Sequence, residues 1–147
     1  MSKIAYNACY GGFNLSHDGI MRYAQLKGTT LYAFVDARLA DGKPLDTPHT
    51  ERYRRATEKE ANSNLLVHYC TTPEYSNESY LSPYDIYGDR NDPILIQVIE
   101  ELRDRANGHC SKIKLHDLPA GTLYRIDEYD GLESVATNDS YEWSVAR

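Results

Sequence analysis

The chain has 147 residues, enough to bury a continuous core without disulfides or a structural metal. Its 16 Lys and Arg against 22 Asp and Glu leave a formal charge of -6, which argues against duplex nucleic acid or an anionic membrane as a partner. Three widely spaced cysteines, Cys9, Cys70 and Cys110, match no metal-binding or disulfide framework, and 13 tyrosines beside one Trp and two Phe point to a Tyr-rich binding or oligomer surface.

The first residues, MSKIAYNACYGG, lack the apolar core and cleavage pattern of a signal peptide, and no stretch approaches the roughly 20 apolar residues of a membrane span. A cytoplasmic protein with no membrane partner is expected. Residues 3–9 (KIAYNAC) place Ile4, Tyr6 and Ala8 at alternate positions, the pattern of a half-buried strand. Two glycines, Gly11 and Gly12, follow directly. A helix is expected to Leu26, with Ser16 as its N-cap, Ile20, Tyr23 and Ala24 at helical spacing, and Gly28 as its stop.

Residues 30–35 (TLYAFV) read as a second strand. A polar excursion over about 36–64 then contains one stretch of helix propensity, residues 50–61 (TERYRRATEKEA). Strand character returns at 65–70 (LLVHYC), and a second polar, Tyr-rich excursion covers about 71–90. Asp92 followed by Pro93 predicts a sharp helix start, because the carboxylate caps free N–H groups and proline at the first helical position loses no hydrogen bond. The spacing of Leu95, Val98, Ile99, Leu102 and Ala106 extends that helix to Asn107, with Gly108 after it. Residues 112–118 (KIKLHDL) alternate as a strand, and 122–129 and 132–136 form a hairpin about Asp130-Gly131.

These elements predict a single α+β domain over 1–147. Its expected core is a mixed or mostly antiparallel sheet of about five to six strands with two main helices on one face.

Two groups of residues have the chemistry of an anion site. The loop Tyr10, Gly11, Gly12, Phe13 and Asn14 leads to a helix N-terminus at Ser16, where free N–H groups and the helix dipole favour negative charge and glycine permits close approach. A tight turn plugged by Phe13 explains the same residues. Arg52, Arg54 and Arg55, interleaved with Tyr53, have the donors to clamp phosphate while the ring stacks on a base, although a solvated helix face paired with Glu51, Glu58 and Glu60 is the simpler account. Histidines 17, 49, 68, 109 and 116 and the three cysteines have no metal or nucleophile spacing, so neither a metal nor a cofactor is expected. Cys9 and Cys70 read as small buried hydrophobes, and the acidic hairpin residues Asp127, Glu128, Asp130 and Glu133 as exposed charges that discourage edge pairing.

YGGFNLS at 10–16, RNDPILIQVIEEL at 90–102, KIKLHDLPAG at 112–121 and YRIDEYDGLESV at 124–135 resemble a family of small bacteriophage and prophage proteins of uncharacterised activity. Where those proteins end in a His-Arg-Thr-Trp-like stretch, this chain has Ser140-Tyr141-Glu142-Trp143. The resemblance implies a phage accessory protein in the host cytoplasm, directed at host machinery or defence. It adds Arg90 and Asn91 to the candidate anion donors. The expected function is a counter-defence sponge: a homo-oligomer that binds a nucleotide-like small molecule without turning it over. The alternatives are an inhibitor of a host defence protein, and a nucleotide or nucleic-acid hydrolase or transferase using His17, His109 or His116.

Overall fold

A computed structural model describes residues 1–138 and 144–147. The Ser140–Trp143 tail motif lies outside the described residues. In chain order the elements are β1 (Ser2–Asn7), α1 (His17–Lys27), β2 (Tyr32–Asp36), α2 (Ala37–Ala40), α3 (His49–Arg52), β3 (Tyr53–Arg55), α4 (Glu58–Ala61) and β4 (Val67–Cys70). There follow β5 (Tyr80–Leu81), α5 (Pro83–Tyr87), α6 (Pro93–Leu102), a 3-10 turn at Arg103–Ala106, β6 (Ile113–Leu118), β7 (Tyr124–Tyr129) and β8 (Leu132–Thr137). The chain is α+β, and among the described residues its strands pair antiparallel in three sheets: β1-β6, β3-β2-β4-β5 and β7-β8. It divides into two compact units, Met1–Leu15 with Asp89–Arg147, and Ser16–Gly88.

In the first unit, β1 and β6 pair from Ser2↔Leu118 to Asn7↔Ile113. The expected helix start is present: Asp92 accepts from the Ile94 N–H at 2.9 Å, and Pro93 opens α6. Leu95, Ile96, Val98 and Ile99 are buried, a contribution of about 1.5–3 kcal/mol each. The helix does not reach Asn107. Arg103 has a φ of 53°, which ends α6, and the chain continues as a 3-10 turn that still buries Ala106. Gly108 is therefore no helix cap. Its missing Cβ makes room for Asn14, whose own Cβ would lie 2.7 Å away. At the hairpin, Asp130 and Gly131 both have positive φ (50° and 85°), the geometry of the expected two-residue turn.

In the second unit, Ser16 caps α1 by accepting from the Gly19 N–H at 3.1 Å, and Gly28 ends the helix in the left-handed conformation. The expected helix over 50–61 is broken in two. Tyr53–Arg55 pairs with Phe34–Asp36 as a strand, and Thr57 opens a new helical turn through a capping box with Glu60. Sheet pairing outweighed local helix propensity there, as it commonly does for short polar segments. A second capping box, Ser82 with Asp85, starts α5 inside the excursion in which no helix was expected. Among the described residues no helix is long and apolar enough to cross a membrane.

Candidate functional site

The β3-β2-β4-β5 sheet sorts its side chains by register, because residues opposite one another share a face and neighbours along a strand do not. Phe34 lies opposite Arg55 on one side and His68 on the other; Asp36 lies opposite Tyr53, and Cys70 opposite Tyr80. One face therefore carries Tyr53, Arg55, Phe34, His68 and Tyr80. Arg54, Val35 and Tyr69 fall on the other, where Tyr69 stacks on His17 of α1 with the rings 5.8 Å apart and its hydroxyl 2.7 Å from His17 Nδ1.

On the first face the aromatic rings gather around Tyr75, from the loop after β4. Tyr53 and Tyr75 are stacked, with centroids 4.0 Å apart and planes 17° from parallel. His68 meets Tyr53 edge-on at 5.0 Å, Phe34 meets Tyr75 edge-on at 5.6 Å, and His49 stands 6.3 Å from Tyr75. A cleft of about 580 Å³ opens here, lined by Phe34, His49, Tyr53, Arg55 and Tyr75 among others.

The charges of this face are settled by burial and pairing. Burial lowers the pKa of His68, which keeps the imidazole neutral near pH 7. Burial also pushes the Tyr75 hydroxyl up to about 12, so it stays protonated and able to donate. Arg52 reaches down to buried Asp36 (3.1 Å), which also accepts from Arg38 at 2.9 Å, and the Arg38 guanidinium foremost holds that carboxyl well below its usual range. Arg54, on the opposite face, is enclosed between Asp41 (2.7 and 2.8 Å) and Glu60 (2.6 and 2.8 Å), which occupies its whole fork. Arg55 is different. Its guanidinium is exposed, lies 4.7 Å over the Tyr32 ring and 6.0 Å over Phe34, and has no carboxylate partner among the described residues.

Of the expected trio, one arginine is thus available to a ligand. A helix would have turned Tyr53 and Arg55 to different sides, whereas the strand puts them on one. Tyr75, His49, Phe34 and His68 were not read as site residues. The tyrosine surplus was the signal for Tyr75, but the loop that brings it over the sheet is a tertiary feature.

The glycine loop belongs to the first unit, and the protein's own chain fills the space that Gly11 leaves, while the space beside Gly12 is open. A Cβ on Gly11 would run into the Cys110 carbonyl oxygen and come within 2.7 Å of the Cys110 Cβ; a Cβ on Gly131 would lie 2.5 Å from Gly12 N. Arg90 stacks on Phe13, its guanidinium carbon 3.7 Å from the ring centre, and makes a bidentate pair with Glu133 at 2.7 and 3.0 Å. Glu133 also accepts from the Asn7 N–H at 2.8 Å, and its side chain is 9% exposed. It is accordingly no exposed hairpin charge, because Arg90 and Asn7 neutralise and cover it. Asn91 donates to Ser2 Oγ (2.7 Å) and to the Lys3 carbonyl (2.9 Å). Tyr10 is exposed, and the Asn14 carbonyl accepts from Gly108. Ser16 starts the second unit, which also holds Arg52, Arg54 and Arg55. Among the described residues no cluster of three or more His, Cys, Asp or Glu is arranged to hold a metal.

In comparisons with known proteins, no family model, no curated protein and no solved structure matches the chain significantly.

Proposed function

We propose that the protein is a non-enzymatic binder of a nucleotide-like small molecule, taken up by the cleft beside the Tyr53–Tyr75 stack with its anionic group on Arg55. The observation that carries this reading is the state of Arg55: an arginine at an aromatic cleft, without a carboxylate partner among the described residues, while Arg52 and Arg54 are both paired within the protein. A guanidinium presents donors in a fork that matches phosphate, and a base stacked on an aromatic ring gains about 1–3 kcal/mol. Neutral His68 and protonated Tyr75 add hydrogen-bonding capacity without opposing charge. The phage-like sequence pattern supplies the biological frame, in which a host-cytoplasmic homo-oligomer holds a nucleotide signal away from its receptor and needs no turnover.

The test is native mass spectrometry of protein from infected cells, followed by calorimetry with a panel of nucleotides. Intact nucleotide released on denaturation, with at least a tenfold loss of affinity (about 1.4 kcal/mol) in Arg55→Gln, is the expected result. A bare protein whose Arg55→Gln variant binds every nucleotide like the wild type would refute it. A host polypeptide recovered in its place would favour the inhibitor reading.

A further inference from the structure

Sequence spacing separates Cys9 from Cys110 by 101 positions, yet the first unit brings them together: Cys9 Sγ lies 3.0 Å from the Cys110 carbonyl oxygen. The approach depends on Gly11, whose missing side chain leaves the room that the Cys110 backbone and Cβ occupy. Neither cysteine is buried; Cys110 is exposed and Cys9 half-buried, which corrects the expectation of a buried Cys9. Cys110 also has a φ of 59°, a left-handed conformation that a non-glycine residue adopts at a cost and that clusters at functional positions. Cys70, in contrast, is fully buried in the second unit.

We propose that Cys9 and Cys110 form an oxidisable dithiol, a modification site that closes to an intramolecular disulfide when the protein meets a hydroperoxide. The exposed Cys110 thiolate attacks a peroxide oxygen; the O–O bond breaks, the sulfur becomes a sulfenic acid, and water or an alcohol departs. The Cys9 thiolate then attacks the Cys110 sulfur. The S–S bond forms as the S–O bond breaks, and hydroxide leaves with a proton as water. Two thiols lose two electrons in total, and the peroxide is reduced by the same two. The bond ties the start of the glycine loop to the turn before β6, and a cellular dithiol reductant reverses it. Cys70 takes no part.

The experiment treats dilute, fully reduced protein with hydrogen peroxide, blocks residual thiols by alkylation, and maps peptides without reduction. The expected product is a monomer lighter by two hydrogen atoms with a Cys9–Cys110-linked peptide and an alkylated Cys70. Cys9→Ser and Cys110→Ser should each abolish the link, and Cys9→Ser should leave a Cys110 sulfenic acid that dimedone traps. Both variants are conservative, and circular dichroism checks their fold. Cys110 sulfinic acid beside a free Cys9 in the wild type, unreacted thiols at both positions, or links formed only between molecules or through Cys70 would each overturn the proposal.

Discussion

Replacing Glu133 with Gln tests whether the segments around Arg90 and Glu133 serve the fold. The carboxylate accepts two hydrogen bonds from Arg90 and one from the Asn7 N–H, all between 2.7 and 3.0 Å, and its side chain is 9% exposed against 20% for Arg90. Gln keeps one acceptor oxygen but sets an amide NH2 against a donor, so at least one hydrogen bond is lost and the guanidinium loses its counter-charge. Hydrogen bonds to charged groups contribute about 1.5–3 kcal/mol each, and breaking a fully buried pair costs about 3–5 kcal/mol. Arg90 retains some solvent and its stack on Phe13, so the expected loss is about 2–4 kcal/mol. Urea unfolding should report it as a lower midpoint at unchanged slope. Arg90→Met in the same background should recover part of the loss, since the cycle then removes both partners. A loss below about 1 kcal/mol, or strictly additive single and double variants, would refute the claim that this pair holds the first unit together.

Gly11→Ala should prevent native folding or cost several kcal/mol, because the new methyl meets the Cys110 carbonyl, while Gly12→Ala, at a φ of 92° with open space around it, should cost only about 1–2 kcal/mol. Thermal melts of the two separate a loop that admits chain from one that admits ligand; equal costs would remove the close approach as the reason for Gly11. Acid should weaken the second unit. The Arg54 guanidinium and the Thr57 N–H hold Glu60 at about 2, below its unfolded value of about 4.3. A depressed folded pKa contributes stability that is full above the unfolded value and lost as pH falls toward the folded one, here between about pH 5 and 2. Asp36, depressed by Arg38, acts in the same sense. Urea midpoints measured from pH 7 to 3 should fall over that window, and fall less steeply in Arg54→Met; identical slopes would show that the pair contributes nothing.

The parts of the fold that were legible were those with short-range causes. Ser16 and Asp92 cap helices because each carboxyl or hydroxyl oxygen needs only an N–H two or three residues on, and Asp130-Gly131 turns because both residues tolerate positive φ. Failures came where a distant partner decided. Helix propensity over 50–61 gave way at Tyr53–Arg55 to pairing with β2, and the end of α6 was set at Arg103 instead of at Gly108. Glu133 looked like surface charge because Arg90 is 43 positions away. For the candidate site the residue types were legible and their grouping was not: tyrosines and arginines were both expected to matter, but which arginine is free depends on Asp36, Asp41 and Glu60 having claimed the other two.

Of the segments 10–16, 90–102, 112–121 and 124–135, the last three lie wholly in the first unit, and 10–16 reaches the second only at Ser16. Their polar and glycine positions have internal duties: Gly11 and Gly131 admit backbone, Arg90 pairs with Glu133, and Asn91 holds the β1 edge through Ser2 and Lys3. Residues committed in this way are poor ligand donors, since a ligand would have to displace hydrogen bonds already made. The cleft, in contrast, is lined by residues between Phe34 and Asn77, outside all four of these segments. Framework residues of this kind serve the folding of the first unit. On the binding reading, exchanging Arg55 or the Tyr75 loop should change what is bound, while substitutions in the YGGF and RNDP segments should act through stability alone.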